Sequence, residues 1–490
     1  MKKNVLLGFL FLTFTLQAQI SNLANLASGQ MEMFAPIYEQ DKSMYGYFSL
    51  FKLDKLNENQ EKFEYVILDK NLNKVANGEF IDDAYKGIMS KYYTPDKIGN
   101  DLILTKRFGN FSGTIAFTST RILNLETNKI LDPFYINEGL LVQGSREVEN
   151  LKKEQRNRQF FNVPIGVNNG FVIIEVKKKA AKQNPSNIYF YNLKQEKLWE
   201  YNFGNDVVRE EYNLIAYDED LLYFSFIRND NRRSGVTIQQ MDTYSGKMNF
   251  SYLLENSDSK YNYAYNVKRI GDRTILTGKI SPYKVMGYDP QNAVGLFKIV
   301  LDEKGNEVFK KHFLWEEANE FIEMNKKGKL EKGYKLFVQS YFVFKDERIV
   351  VLSEKYKVST NILIGGVLRT TDFVLLEFDK DFNLTSANTI EKDLSKFSAS
   401  DFLFSQYLND ERDAVFFYRD YQKDSETKER NWVLGIVSLV NGNVKHEKVP
   451  MSSEDHYIFP YIAKEGYILL RELNKNSDFD EIRLERLNLD

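Results

Sequence analysis

Short runs of four to six apolar residues recur along the chain, each opened by a polar or Gly-containing turn and closed by a basic residue. They read YGYFSLFK closing at Lys52, DLILTKR at Arg107, GFVIIEVK at Lys177 and DLLYFSFIR at Arg228. Four more follow: DRTILTGK at Lys279, ERIVVLSEK at Lys355, DAVFFYR at Arg419 and GYILLR at Arg471. A run this short, apolar at consecutive positions and bounded by turn residues, predicts a strand buried on both faces.

Ahead of most runs lies another aromatic-rich strand joined by a tight turn, as at Ile98-Gly99-Asn100-Asp101, Asn168-Asn169-Gly170 and Gly271-Asp272-Arg273. Behind seven of them comes a second hairpin, beginning at Tyr65, Arg121, Ile188, Thr237, Gly295, Phe373 and Trp432, with Asp, Asn or Gly at its bend. These are residues that tolerate tight-turn backbone angles. Two successive hairpins make a four-stranded antiparallel meander, with strands A to D, repeating about every 60 residues. The eighth unit ends with EIRLERLNLD and lacks a D strand, which residues 20 to 30 are placed to supply.

Eight such units resemble the blades of a β-propeller, and the resemblance covers nearly the whole chain. It implies an all-β ring of eight blades, with seven as the alternative, forming one domain over residues 19–490 and closed by pairing of the terminal strands. The signatures of WD, kelch and sialidase repeats are missing. Glu138 to Arg158 and Trp315 to Gly333, rich in Glu and Lys, break the pattern and read as short helical insertions between blades.

The N-terminus adds a compartment to this picture. Lys2 and Lys3, an apolar run from Val5 to Leu16 and then Gln17-Ala18-Gln19 follow the order of a secretory signal peptide, with cleavage expected after Ala18. The run has 12 residues, short of the roughly 20 needed to span a bilayer as a helix. The expectation is an exported protein, periplasmic or extracellular, that does not span the membrane. The sequence contains no Cys, so neither a disulfide framework nor a lipidated cysteine is available. Formal charge is −3, and loss of Lys2 and Lys3 takes the mature chain to −5, which argues against a nucleic-acid partner.

In a propeller the B to C and D to A connections share one face, where ligands commonly bind. Long B to C loops are expected at Lys178 to Asn187, Asn229 to Gly235, Ser281 to Val294, Tyr356 to Thr371 and Asp420 to Asn431, and long loops on a rigid scaffold concentrate binding. The strand-closing residues Lys52, Arg107, Lys177, Arg228, Lys279, Lys355, Arg419 and Arg471 would then form a basic rim at that mouth. Such a rim either attracts an anionic ligand or consists of strand ends paired with nearby carboxylates.

Other candidates are weaker. Asp379-x-Asp381-x-Asn383 and Asp69-x-Asn71-x-Asn73 open like a calcium loop, but they also suit a tight bend. His312, His446 and His456 lack metal-site spacing. Trp199 and Trp432 fall in strands, whereas Trp315 opens an insertion carrying the apolar positions Leu314, Ala318, Phe321 and Ile322, and is a candidate interface anchor unless that segment caps the ring. No nucleophile elbow or phosphate-binding loop occurs. No cofactor is expected. The reading is a monomeric, non-enzymatic binding or scaffold protein of the bacterial envelope with a protein or polysaccharide partner. The alternative is a hydrolase of polysaccharide or peptide with carboxylates gathered at the central mouth.

Overall fold

The computed structural model describes residues 19–22, 29–84, 89–109, 115–137, 140–142, 164–179, 182–203, 210–218, 220–230, 233–256, 258–283, 292–361, 365–395, 400–423, 430–451, 456–474 and 480–489. The expected leader at 1–18 lies outside them, as does most of Glu138–Arg158.

The strands form eight antiparallel sheets in chain order. The chain begins with β1 (Gln19–Asn22). Blade 1 is β2 (Gln30–Tyr38), β3 (Met44–Asn57), β4 (Gln60–Asp69) and β5 (Lys74–Asp83). Blade 2 is β6 (Met89–Tyr92), β7 (Asp96–Ile98), β8 (Asp101–Gly109), β9 (Ile115–Asn124), β10 (Phe134–Asn137) and β11 (Leu140–Val142). Blade 3 is β12 (Ile165–Val167), β13 (Gly170–Lys179), β14 (Lys182–Asn192) and β15 (Lys197–Asn202), and blade 4 is β16 (Glu210–Tyr217), β17 (Leu221–Asp230), β18 (Arg233–Asp242) and β19 (Met248–Glu255). Blade 5 is β20 (Tyr261–Ile270), β21 (Arg273–Pro282), β22 (Gly295–Leu301) and β23 (Glu307–Leu314), and blade 6 is β24 (Lys335–Val343), β25 (Ile349–Asn361), β26 (Gly365–Phe378) and β27 (Leu384–Ile390). Blade 7 is β28 (Phe402–Leu408), β29 (Asp413–Lys423), β30 (Arg430–Val440) and β31 (Asn443–Pro450), and blade 8 is β32 (His456–Ile462), β33 (Tyr467–Asn474) and β34 (Asp480–Arg486), completed by β1.

All eight apolar runs are B strands. The missing D strand of blade 8 is β1, whose Gln19 to Asn22 pair antiparallel with Leu484 to Glu481 of β34. In blade 2 the A strand is split into β6 and β7, which both pair with β8. Pro95 falls in the gap, where it has no N–H to give to the ladder.

The continuous apolar runs follow from burial on both faces. Along β3, Phe48 and Leu50 pack toward blade 2, against Leu102 and Leu104. Tyr47 and Phe51 pack toward blade 8, against Leu469, Ile482 and Leu484. Alternate side chains thus enter different inter-blade cores. The same holds round the ring, and each of the eight neighbouring blade pairs encloses its own apolar cluster.

Three expectations change. Two of the expected long B to C loops, Lys178 to Asn187 and Tyr356 to Thr371, are largely strand: β13 runs on to Lys179 and β14 starts at Lys182, and β25 and β26 extend to Asn361 and from Gly365. Their polar sequence hid backbone pairing that needs no apolar side chains. The insertion after β23 is helical as expected, but as short 3-10 segments, six residues at Trp315–Glu320 and three at Glu331–Gly333. Trp315 is no interface anchor: it is 3% exposed, its indole N–H donates to the Ala293 carbonyl at 2.8 Å, and it joins the cluster between blades 5 and 6. Within the other expected insertion, Leu140–Val142 is an outer strand paired with β10 rather than helix.

The Asp and Asn of the C to D bends are turn formers. The Asp379 carboxylate accepts the Asn383 backbone N–H at 2.7 Å and its side-chain amide at 2.8 Å, and Asp69 holds Asn73 in the same way. Asp302 and Asn306 repeat the device. The carboxylate oxygens offered to calcium are therefore engaged by the turn itself.

The histidines also have structural partners. The His446 Nε2 lies 2.6 Å from the hydroxyl of fully buried Tyr418, and the His312 Nε2 lies 2.9 Å from that of Tyr263. The Tyr418 ring reaches His446 by lying across Gly435, where an added Cβ would come within 2.1 Å of it. Gly435→Ala is therefore expected to destabilise the protein by about 1–3 kcal/mol through overpacking. Urea unfolding of the two proteins side by side measures this, and an unchanged midpoint would show that the ring can shift without cost.

Candidate functional site

The strand-closing basic residues stand on the second strand from the axis and do not ring the channel. Lys52 pairs with Glu61 at 2.6 Å, and Lys355 with Asp372 at 3.0 Å. The Arg419 guanidinium sits 3.7 Å from Asp401 and over the Trp432 ring, while that of Arg107 lies over Tyr93. Lys279 donates to the Leu336 carbonyl at 3.3 Å, and burial beside Lys335 pushes its amine down to about 8. Arg471 is half-buried on β33. The side chains of Lys177 and Arg228, on β13 and β17, lie outside the described residues, as does that of His456.

Two buried ion clusters wedge neighbouring blades together. Between blades 6 and 7, the fully buried Lys392 ammonium lies 3.0 Å from Glu354 and 2.9 Å from Asp401. Between blades 1 and 2, Asp82 accepts from the Arg121 guanidinium at 3.0 Å and from the Tyr92 hydroxyl. Lys106 beside them donates to the Asp83 carbonyl at 2.7 Å, and burial holds its amine below the usual lysine range. Each buried charge here has partners, as the cost of desolvation requires.

A cavity of about 880 Å³ lies on the opposite face from the one expected, where the A to B turns converge. Residues of six blades line it, among them six acids and six bases. Most of these charges are engaged with one another or with the backbone. Arg269 lies 2.7 Å from Asp220, linking blades 5 and 4, and Lys268 lies 2.8 Å from Glu411, linking blades 5 and 7. Lys345 pairs with Asp410, and Glu465 accepts the Asn409 N–H. Lys464 donates to the Asn71 side chain at 2.6 Å, joining blade 8 to blade 1. Next to the mouth, Lys97 lies 2.8 Å from Glu39, and Asp96 accepts the Gly166 N–H at 3.2 Å.

Apart from the exposed Lys70, Lys42 is the one base of the lining without such an ion pair or hydrogen bond among the described residues. It sits in the β2–β3 turn with φ of 69°, and its ammonium lies 4.3 Å from the centre of the Tyr217 ring of blade 4. Among the described residues it has no carboxylate within ion-pair distance, although Asp96 and Asp218 both act on its charge. Burial pushes the Lys42 amine down and the Asp96 carboxyl up. Burial, with Asp220 close by, raises the Asp218 carboxyl to about 6, while the Arg269 guanidinium helps hold Asp220 below the usual range. Lys42, Asp96 and Asp218, partly desolvated and from blades 1, 2 and 4, thus lie near one another with no ion pair among them, while Asp218 lies 3.9 Å from the Arg269 guanidinium and accepts the Leu221 N–H at 3.0 Å.

The channel continues into an adjoining compartment of about 410 Å³, which shares Val267, Lys268 and Tyr407 with the mouth. Its other polar groups are uncharged: Asn266, Thr277, Gln339, Ser340 and Tyr341. Burial raises the Tyr407 hydroxyl to about 12, and this hydroxyl accepts the Val343 N–H at 3.0 Å. Sequence reasoning missed these positions because they sit in A strands and turns with no shared spacing. Among the described residues no cluster of three metal-ligating side chains occurs, and no helix is long and apolar enough to cross a membrane.

The raised Asp218 carboxyl makes stability depend on pH in a definite direction. The folded protein holds this proton up to about pH 6, against an ordinary value of 3.8. Its contribution is therefore complete below about pH 4 and lost as pH rises through 6. Asp218→Asn is expected to leave the thermal midpoint unchanged at pH 4 and to raise it by about 1–3 °C at pH 7.5. A differential scanning calorimetry series over that range checks this, and equal shifts at both pH values would contradict it.

In fold, the chain is similar to the polysaccharide lyase Uly1, at 8% identity and a TM-score of 0.40 over 80% of this chain and 89% of that one. It is also similar to the β-propeller domain of the Trilobed protease from Pyrococcus furiosus, at 10% identity and a TM-score of 0.36 over 86% and 95%. A third similar structure is a polysaccharide lyase of family PL25, an ulvan lyase, at 12% identity and a TM-score of 0.39 over 81% and 91%. These likenesses are of fold alone. No curated protein matches the sequence. The model of DUF6770, a family of unknown function, matches residues 1–402, most of the chain, and the protein belongs to that family.

Proposed function

We propose that this protein is an exported, non-enzymatic binding module that takes its ligand in the central channel, on the face of the A to B turns. The observation that carries this reading is the pairing of the channel's charges. Asp220, Asp410 and Glu411 each hold a cation from a neighbouring blade or beyond, so they serve ring closure and are not free to exchange protons with a substrate. Neither His312 nor His446 faces the channel, since both sit on outermost strands and bond to tyrosines. Export rests on the charged, apolar and small-residue order of the N-terminus. The module then acts in the periplasm or outside the cell, as a monomer, with a partner from the envelope.

One observation favours a hydrolase instead. Asp218 and Asp220 are adjacent carboxyl groups whose affinities for protons are driven apart, the usual mark of an acid and base pair. Assays of reducing-end release from a panel of polysaccharides, and of amine release from peptides, separate the two. The binding module gives no turnover above background with any substrate. Turnover that falls by about 100-fold or more in Asp218→Asn would replace it with the hydrolase.

A further inference from the structure

We propose that the ligand of the channel is an uncharged oligosaccharide, held between the Lys42, Asp218 and Tyr217 side chains at the mouth and the uncharged polar compartment behind them. This rests on the channel being a binding site.

The charge balance of the mouth argues against an ionic ligand. Six acids and six bases leave no net field to attract one sign. A charged ligand would also have to displace an existing partner, such as Asp220 from Arg269 at 2.7 Å or Glu411 from Lys268 at 2.8 Å. Breaking a half-buried pair leaves a charge desolvated and uncompensated, which is costly. A neutral ligand leaves these pairs intact.

The unclosed group at Lys42 argues for hydroxyls. Its ammonium, over the Tyr217 ring, can only donate; the ionised Asp218 carboxylate can only accept, and it lies 3.9 Å from Arg269 and takes the Leu221 N–H at 3.0 Å but makes no ion pair with Lys42. A hydroxyl both accepts and donates through one atom, so it can bridge them. Asn266, which is exposed, and Ser340 continue this donor and acceptor surface inward. Tyrosine rings supply the apolar faces that the C–H surfaces of a sugar require: Tyr217 is 37% exposed at the mouth, and Tyr407 borders both compartments. The volumes of about 880 and 410 Å³ suit a ligand of several rings.

Calorimetric titration of the full chain tests this with three hexasaccharides: a glucose or mannose oligomer, a galacturonate oligomer and a glucosamine oligomer. Three variants accompany it: Asn266→Trp, which fills the compartment; Asp218→Asn; and Tyr244→Ser, an exposed aromatic outside the cavity. The result expected is binding of a neutral hexasaccharide that weakens at least tenfold in Asn266→Trp, weakens in Asp218→Asn and is unchanged in Tyr244→Ser. Circular dichroism melts of each variant confirm folding. Binding of only the galacturonate or glucosamine oligomer, lost in Asn266→Trp, would overturn the neutral ligand while leaving the channel as the site. Binding of none of the three, or binding that Asn266→Trp does not touch, would overturn it together with the channel reading.

Discussion

The structure depends on one constraint, that every blade is apolar on both faces. A sheet of this kind has no stable arrangement with a single neighbour, because one face would stay in water. Phe48 and Leu50 on one side of β3, with Tyr47 and Phe51 on the other, commit blade 1 to two partners at once. Repeated round the chain, this demand is met only by a closed ring. The ring closes with Leu469, Ile482 and Leu484 of the last blade packed on the first, and β1 covers the edge that β34 would otherwise expose.

Closure also orders the polar groups. From blade 3 to blade 6, each blade reaches the outer hairpin of the next with a donor from its outer strands. Trp199 bonds to the Thr243 carbonyl at 2.9 Å, Tyr252 to Glu307 at 2.5 Å and Lys298 to the Lys380 carbonyl at 2.7 Å. These bonds work only because the bends are stiff, and the bends are stiff because residues such as Asp69 and Asp379 fold their carboxylates back on the backbone. Phe382, at φ of 55°, carries this further. It accepts a left-handed backbone, and its ring, fully buried, stacks on Phe378 in the core between blades 5 and 6.

The sequence revealed what is periodic and hid what is not. Eight B strands were legible because burial on both faces writes an unbroken apolar run. The A to B hairpins were legible where Asn168, Asn169 or Gly271 supply positive φ. The strand extensions beyond Lys177 and Tyr356 were read as loops, because a ladder pairs through the backbone whatever its side chains. Trp315 was misplaced for a different reason. Its burial depends on Ala293, ahead of β22, and on the insertion folding back so that Gly328 meets the indole ring.

The channel was the least legible part, and the physics says why. Lys42 and Tyr217 belong to blades 1 and 4, and Lys268 meets Glu411 across two blades. Such contacts exist only after closure, so no local pattern encodes them. Closure also sets their character: side chains crowded at the axis lose water, and desolvated charges persist only where an opposite charge or a dipole meets them. Most of the mouth satisfies that rule with ion pairs between blades. At Lys42 only the Tyr217 ring meets the charge, and Asp96 and Asp218 lean mainly on single backbone N–H donors, with Arg269 3.9 Å from Asp218, so that burial pushes each group toward its neutral form. Within a ring held by satisfied contacts, an unclosed set of donors and acceptors beside an open volume is where a ligand could contribute what the fold leaves out.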